Sequence, residues 1–156
     1  MTPLVDKRGD MKKIYLAGPF FNERETALIH AFAARLREKY EVFVPMEHTA
    51  EGDVPEGSFA WGKEIFDIDV KGLEEADFVV ALDHGFTSDA GTAWETGYAY
   101  AKGKPSYIVS VAEDSPVRSL MLLNGCTRYF ASLDDLWDFL NGKDAPSAEA
   151  RGIKAK

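Results

Sequence analysis

The chain of 156 residues has a single cysteine, Cys126. No intramolecular disulfide can form, and a reducing cytoplasm is the expected compartment. Positive charge is also scarce, with 18 Lys and Arg against 26 Asp and Glu and a formal net charge of −8. A nucleic-acid polymer is held largely by clustered basic residues, so that partner is excluded and a small molecule is expected. No apolar run approaches the roughly 20 residues of a membrane span. Residues 1–11, with Asp6, Lys7, Arg8 and Asp10, are too charged for a secretory signal.

Several chemical devices are missing as well. Gly103-Lys104-Pro105 lacks the upstream glycine and the hydroxyl residue of a phosphate loop, and no Gly-x-Gly-x-x-Gly follows the first apolar strand. That excludes the ordinary nucleotide and dinucleotide cradles. His30, His48 and His84 are scattered without the spacing of converging ligands, so neither a metal nor another cofactor is expected. Cys126 has no base beside it and reads as a packed residue. There are no internal repeats and no linker to a second domain.

What remains is a foldable α/β pattern. With 46% hydrophobic and 12% aromatic residues, the chain can bury a core and is not disordered. After a polar, disordered tail at 1–11, strands are expected at 13–17, 41–45, 78–82, 107–111 and 127–130. Helices are expected between them. Asn22 caps one running to Lys39, with Leu28, Ile29, Phe32, Ala33 and Leu36 on one face. Ser58 caps one running to about Ala76, with Phe59, Ile65, Ile68 and Leu73 inward. Asp89 caps one from Ala90 to Lys102, and Ser115-Pro116 starts a short one through Leu123. Ser132-Leu133-Asp134-Asp135 resembles a capping box before a last helix. Residues 46–57 form a loop of the length that often covers a substrate. Alternating strands and helices predict a right-handed α/β three-layer sandwich, flavodoxin-like, with about five parallel strands in one domain at 12–142 and a polar tail at 143–156.

The chemistry concentrates in Ser88-Asp89-Ala90-Gly91-Thr92-Ala93-Trp94-Glu95-Thr96-Gly97, which follows the apolar strand at 78–82. This strand, loop and small-residue helix open a cleft at the carboxyl edge of a parallel sheet, where α/β proteins bind ligands. Asp89 caps the helix and Glu95 lies six residues on. Asp67 and Asp69 sit among apolar residues on the preceding helix and point to different faces, one into solvent and one toward the cleft. A lone acid is ordinarily a surface charge. Its small neighbours and its place at a strand end mark Glu95 as a nucleophile.

Tyr15-Leu16-Ala17-Gly18-Pro19-Phe20, then Asp69, then Asp89 through Gly97, then Ser119-Leu120-Met121-Leu122 resemble the nucleoside 2-deoxyribosyltransferase family over about residues 13–125. The resemblance implies that Glu95 attacks the anomeric carbon of a 2′-deoxyribonucleoside to give a covalent deoxyribosyl-enzyme. It implies that Asp69 protonates the departing base and deprotonates the incoming one, and that Asp89 holds the 5′-hydroxyl. Tyr15 orients the nucleophile, Gly18 and Gly91 belong to the substrate site, and Phe20, Phe21 and Trp61 sandwich the base. Ser119 and Met121 complete a neighbouring subunit's site, which implies at least a dimer and, in some relatives, a tetramer or hexamer. The expected partners are 2′-deoxyribonucleosides and free nucleobases. Cleaving a glycosidic bond builds positive charge on the sugar, so an ionised carboxylate and a separate proton donor suffice without a metal.

One position departs from the family. Ser119 stands where many transferases have Asn, and it looks like the related nucleotide N-glycosidases, in which hydroxyls hold a 5′-phosphate and water is the acceptor. Against that alternative, Asp89 would repel a phosphate by on the order of 1 kcal/mol or more. A non-catalytic nucleotide sensor, with these acids on its surface, is the third reading.

Overall fold

The computed structural model describes residues 3–112 and 115–156. Five parallel strands make the central sheet: β1 (Lys13–Ala17), β2 (Glu41–Phe43), β3 (Phe78–Asp83), β4 (Ser106–Ser110) and β6 (Arg128–Phe130), in the order β2-β1-β3-β4-β6. The chain runs from β1 out to β2, then returns across β1 to β3. The order reverses there, and at such a point the loops at the carboxyl ends of two strands part to leave a crevice. Register pairs Leu16 with Val80 and Ala17 with Ala81 across it.

The strand side chains alternate between two helical layers, as the period of two requires. Ile14, Leu16, Val80, Leu82 and Val109 pack with α1 (Glu23–Leu36) and α5 (Leu133–Leu140). Tyr15, Ala17, Val79, Ala81 and Ile108 face the opposite layer, with Leu73 of α2 (Phe59–Glu75), Ala99 of α3 (Ala90–Ala101) and Leu122 of α4 (Leu120–Gly125). Both faces of the sheet are covered, giving the three-layer α/β sandwich expected from the alternating pattern.

The helix starts are fixed by local chemistry. The side chains of Asn22, Ser58, Asp89 and Ser132 accept from the backbone N–H of Glu25, Trp61, Thr92 and Asp135, satisfying donors that the first turn leaves open. Ends are less legible. The first helix stops at Leu36, short of Lys39, and β2 ends at Phe43 because Pro45 opens a 3-10 turn, Pro45–Glu47.

Three expectations are corrected. Ser115-Pro116 does not start a helix. The Ser115 hydroxyl accepts from Val117 N–H at 3.1 Å in a local turn, and β5 (Val117–Arg118) then pairs in parallel with β7 (Lys154–Ala155). That partner lies 37 residues away in register, so no local signal announces it, and α4 begins only at Leu120. Second, residues 143–156 do not hang free. Ile153 and Ala148 pack against the core beside Leu122, and Arg151 forks onto the buried Asp135 at 2.8 and 3.0 Å. Third, the polar leader, of which Met1 and Thr2 lie outside the described residues, is a tight turn rather than a disordered tail: Val5 bridges Met11 and Asp6 caps the backbone of Arg8 and Asp10. No helix among the described residues is long and apolar enough to cross a membrane.

Candidate active site

The site is built where α2 and α3 pass over the carboxyl ends of β1 and β3. Asp69 and Glu95 line one cavity of about 400 Å³, with Phe66, Val70, Leu73 and Trp94 as its apolar walls. This is within the range of small-molecule sites, and mostly apolar walls with few convergent polar groups are their usual composition. A larger groove, about 470 Å³, lies along α3 and α4 but has no carboxylate. Among the described residues, the smaller cavity is the one that brings two carboxyls with buried, unpartnered oxygens together.

Burial controls both acids. Asp69 Oδ1 and Glu95 Oε2 are buried and make no hydrogen bond among the described residues. A desolvated carboxylate favours its neutral form, so burial lifts Asp69 from 3.8 to about 6. Burial lifts Glu95 from 4.5 to about 7, the Tyr15 hydroxyl pulls it back, and the charges of Asp69 and Asp89 push it up. Burial thus favours the neutral form of both acids, and that of Glu95 the more strongly. The neighbouring Asp67 lies outside the cavity: it is exposed and accepts from Lys63 at 2.5 Å. The two faces expected of Asp67 and Asp69 are what the helix presents.

Tyr15 is fully buried on β1, and its hydroxyl has no partner within good hydrogen-bond geometry although Glu95 is close enough to feel it. Burial and the two carboxylates raise the phenol far above its ordinary value, so it stays a donor. Its ring is held by a stack: Phe43 lies on Tyr15 at 5.3 Å and 14°, and His48 lies on Phe43 at 4.2 Å and 7°. Gly72 makes this possible, since a Cβ there would sit 2.8 Å from the Phe43 ring.

Asp89 serves the helix with one oxygen. Its Oδ2 accepts from both the N–H and the hydroxyl of Thr92 at 2.8 Å, and no hydrogen bond among the described residues reaches Oδ1. Gly91 lines the Glu95 cavity, where a Cβ would meet Asp89 Oδ2 at 3.3 Å. The close approach at Gly18 is instead to packing atoms, Ile29 Cδ1 at 2.9 Å and Leu82 Cβ at 3.3 Å.

The remaining expected residues lie outside the cavity. Phe20 and Phe21 stack on each other at 6.1 Å on the surface, with Phe21 81% exposed, and Trp61 is half-buried in the first turn of α2. Ser119 and Met121 line the groove on the other flank of α3, with Met121 74% exposed, so the chain does not bring them to its own Glu95. Phe66 and Trp94 form walls that the sequence reading missed, packed edge-to-face at 5.4 Å. Their spacing held the signal: Phe66 is one helical turn before Asp69, and Trp94 adjoins Glu95. Phe59, expected inward, is fully exposed.

A family profile for nucleoside 2-deoxyribosyltransferases matches residues 14–132, which takes in every element from β1 to the cap of α5. The chain belongs to the nucleoside 2-deoxyribosyltransferase family. A similar solved structure is the 2-deoxyribosyltransferase of the psychrotolerant bacterium Bacillus psychrosaccharolyticus, 33% identical with a TM-score of 0.73 over 86% of this chain and 98% of that one. A conserved protein from Enterococcus faecalis V583 is 26% identical, with a TM-score of 0.58 over 92% and 95%. The CMP N-glycosidase of Clostridium botulinum shares the fold at 21% identity and a TM-score of 0.55 over 84% and 97%. Among curated proteins no match is found. This deoxyribosyltransferase-family chain is therefore an enzyme, and the sensor reading gives way.

Proposed function

We propose that the enzyme moves a 2-deoxyribosyl group from one nucleobase to another through a covalent intermediate on Glu95. One observation carries the reading: two carboxyls, Asp69 and Glu95, line one apolar cavity, each with a buried oxygen that no donor among the described residues reaches and each raised by burial. With the proton on Asp69, ionised Glu95 attacks C1′ while the N-glycosidic electrons leave with the base. The departing nitrogen takes the Asp69 proton. The incoming base then attacks C1′, returns a proton to Asp69 and releases Glu95. Tyr15 donates to the Glu95 carboxylate and keeps one of its oxygens aimed at C1′, and Asp89 Oδ1 accepts from the 5′-hydroxyl. Phe66 and Trp94 wall the cation-like transition state, and Phe20, Phe21 and Trp61, outside the cavity, are proposed to meet the base that extends from it.

The apolar groove bearing Ser119, Leu120, Met121 and Tyr100 suits a second copy of the chain, so the working unit is at least a dimer in which Ser119 and Met121 reach the neighbour's substrate. The half-buried Cys126 thiol, pushed up to about 11 by desolvation, is a poor nucleophile and suits the reducing cytoplasm.

Ser119 favours a second reading, hydrolysis of a 2′-deoxynucleoside 5′-monophosphate. Its hydroxyl makes no cap bond and is available to a ligand, while the carboxylate of Asp89 opposes a phosphate. The test supplies a 2′-deoxynucleoside with a second free base, then the 5′-monophosphate alone. The proposal expects a new nucleoside in the first reaction. Free sugar phosphate as the sole product of the pair would refute it.

A further inference from the structure

Outside the cavity the molecule buries two more carboxylates, Asp135 and Asp83. Asp83, the last residue of β3, is 2% exposed and both of its oxygens are committed: Oδ1 accepts from Ser88 Oγ at 2.9 Å and Oδ2 from Tyr129 Oη at 2.7 Å. Its counter-ion is Arg118, also 2% exposed, with Nε 3.9 Å from Oδ2. The guanidinium is held by Ser110 Oγ at 2.9 Å, by Val117 O at 2.8 Å and by Ser115 O. Arg118 Nε itself makes no hydrogen bond among the described residues, so the ion pair balances the charge without taking an Asp83 oxygen from its two hydroxyl donors.

A buried ion pair is a weak source of stability, because desolvation offsets the attraction. What it does supply is a fixed geometry. Ser88 is the residue before Asp89, and the loop is pinned at a second point, where Lys156 donates to Phe86 O and its ammonium stands 3.4 Å over the Phe86 ring. Lys156 reaches there because β7 pairs with β5, the strand that carries Arg118.

We propose that Asp83 is a positioning residue for substrate binding: through Ser88 it fixes the loop that aims the free oxygen of Asp89 at the sugar's 5′-hydroxyl. Arg118 and Tyr129 hold Asp83, and the β5–β7 pair holds Arg118 and Lys156. The inference rests on the reading of Asp89 given above.

The test compares a 2′-deoxyribonucleoside that the wild type turns over with its 2′,5′-dideoxy counterpart, in wild type, Ser88→Ala, Asp83→Asn and Asp89→Asn. Losing an aligned hydrogen bond to a charged acceptor corresponds to a fall of about tenfold or more in kcat/KM. Ser88→Ala and Asp83→Asn are expected to show that fall, chiefly in KM, with the 5′-hydroxyl substrate, and a change under about twofold with the 5′-deoxy substrate, by the same relation. Equal losses on both substrates would mean a general structural role and overturn the proposal, as would no loss on either. Asp89→Asn separates the two claims. If it discriminates between the substrates and Ser88→Ala does not, the positioning role fails while the reading of Asp89 stands; if it does not discriminate, that reading fails and the proposal falls with it. Ser88→Ala removes one hydroxyl from a half-buried loop residue, so it carries the test even where Asp83→Asn does not fold.

Discussion

Replacing Glu95 by Gln removes a charge that the fold disfavours, so the variant's stability and its activity move in opposite directions. In the folded protein Glu95 titrates at about 7 against an ordinary 4.5, chiefly because of burial. The folded state thus binds the proton more tightly than the unfolded chain. Stability from this group is fully present below about 4.5 and is lost as pH rises through about 7. The full difference corresponds to about 3 kcal/mol, of which about 2–3 kcal/mol opens between roughly pH 5 and pH 9. Gln carries no titrating proton, so Glu95→Gln escapes that loss. Its melting temperature relative to wild type should rise by roughly 5–10 °C across the same interval, given about 2–4 °C per kcal/mol for a chain of this size. Thermal unfolding of both proteins followed by circular dichroism over that range reads it directly. Comparing slopes with pH cancels the cost of seating the amide, which does not titrate. Parallel curves would refute the claim that Glu95 is a desolvated acid, whatever happens to activity.

Other consequences follow from the same geometry. Tyr15→Phe removes the donor that holds Glu95 down, so the acidic limb of the pH profile of kcat/KM should move to higher pH; an unmoved limb would leave Tyr15 with a packing role only. Gly72→Ala adds a methyl 2.8 Å from a ring clamped between Tyr15 and His48. The helix gains about 1 kcal/mol from alanine, overpacking costs roughly 1–3 kcal/mol, and the net is a small destabilisation with a larger fall in kcat as Tyr15 is displaced. Unchanged kcat with an intact fold would show that the stack does not set Tyr15. Asp69→Asn should stall donors whose base must be protonated to leave and spare a donor whose leaving group departs unprotonated, as single-turnover kinetics would report. Equal losses on both donors would remove Asp69 from the acid role.

How far the sequence could be read follows the range of the forces involved. The four caps at Asn22, Ser58, Asp89 and Ser132 act over three residues, and all four were legible. Strand-helix alternation and the small-residue stretch before Glu95 were legible for the same reason, and with them the edge of the sheet at which the site forms. Contacts between distant segments left no such mark. The β5–β7 pair, the return of residues 143–156 and the Arg118–Asp83–Ser88 network each join segments whose local patterns read as helix start, tail and strand end. Phe59 misled because helical spacing shows which residues share a face, and the packing partner decides which face is buried. The same spacing put Asp67 and Asp69 on different faces without saying which met the cleft, the family resemblance picked out Asp69, and its raised affinity for a proton needed the cavity walls Phe66 and Trp94.

The claim at the centre of the account is a covalent bond between Glu95 and the sugar. A 2′-deoxy-2′-fluoro nucleoside slows release of the glycosyl-enzyme, because fluorine disfavours the cation-like transition state of the second step. Incubating the enzyme with that nucleoside and mapping its peptides by mass spectrometry should find the fluorosugar on Glu95 and nowhere else, with one equivalent of base released. An unmodified Glu95 in enzyme that turns over ordinary 2′-deoxyribonucleosides would contradict the mechanism.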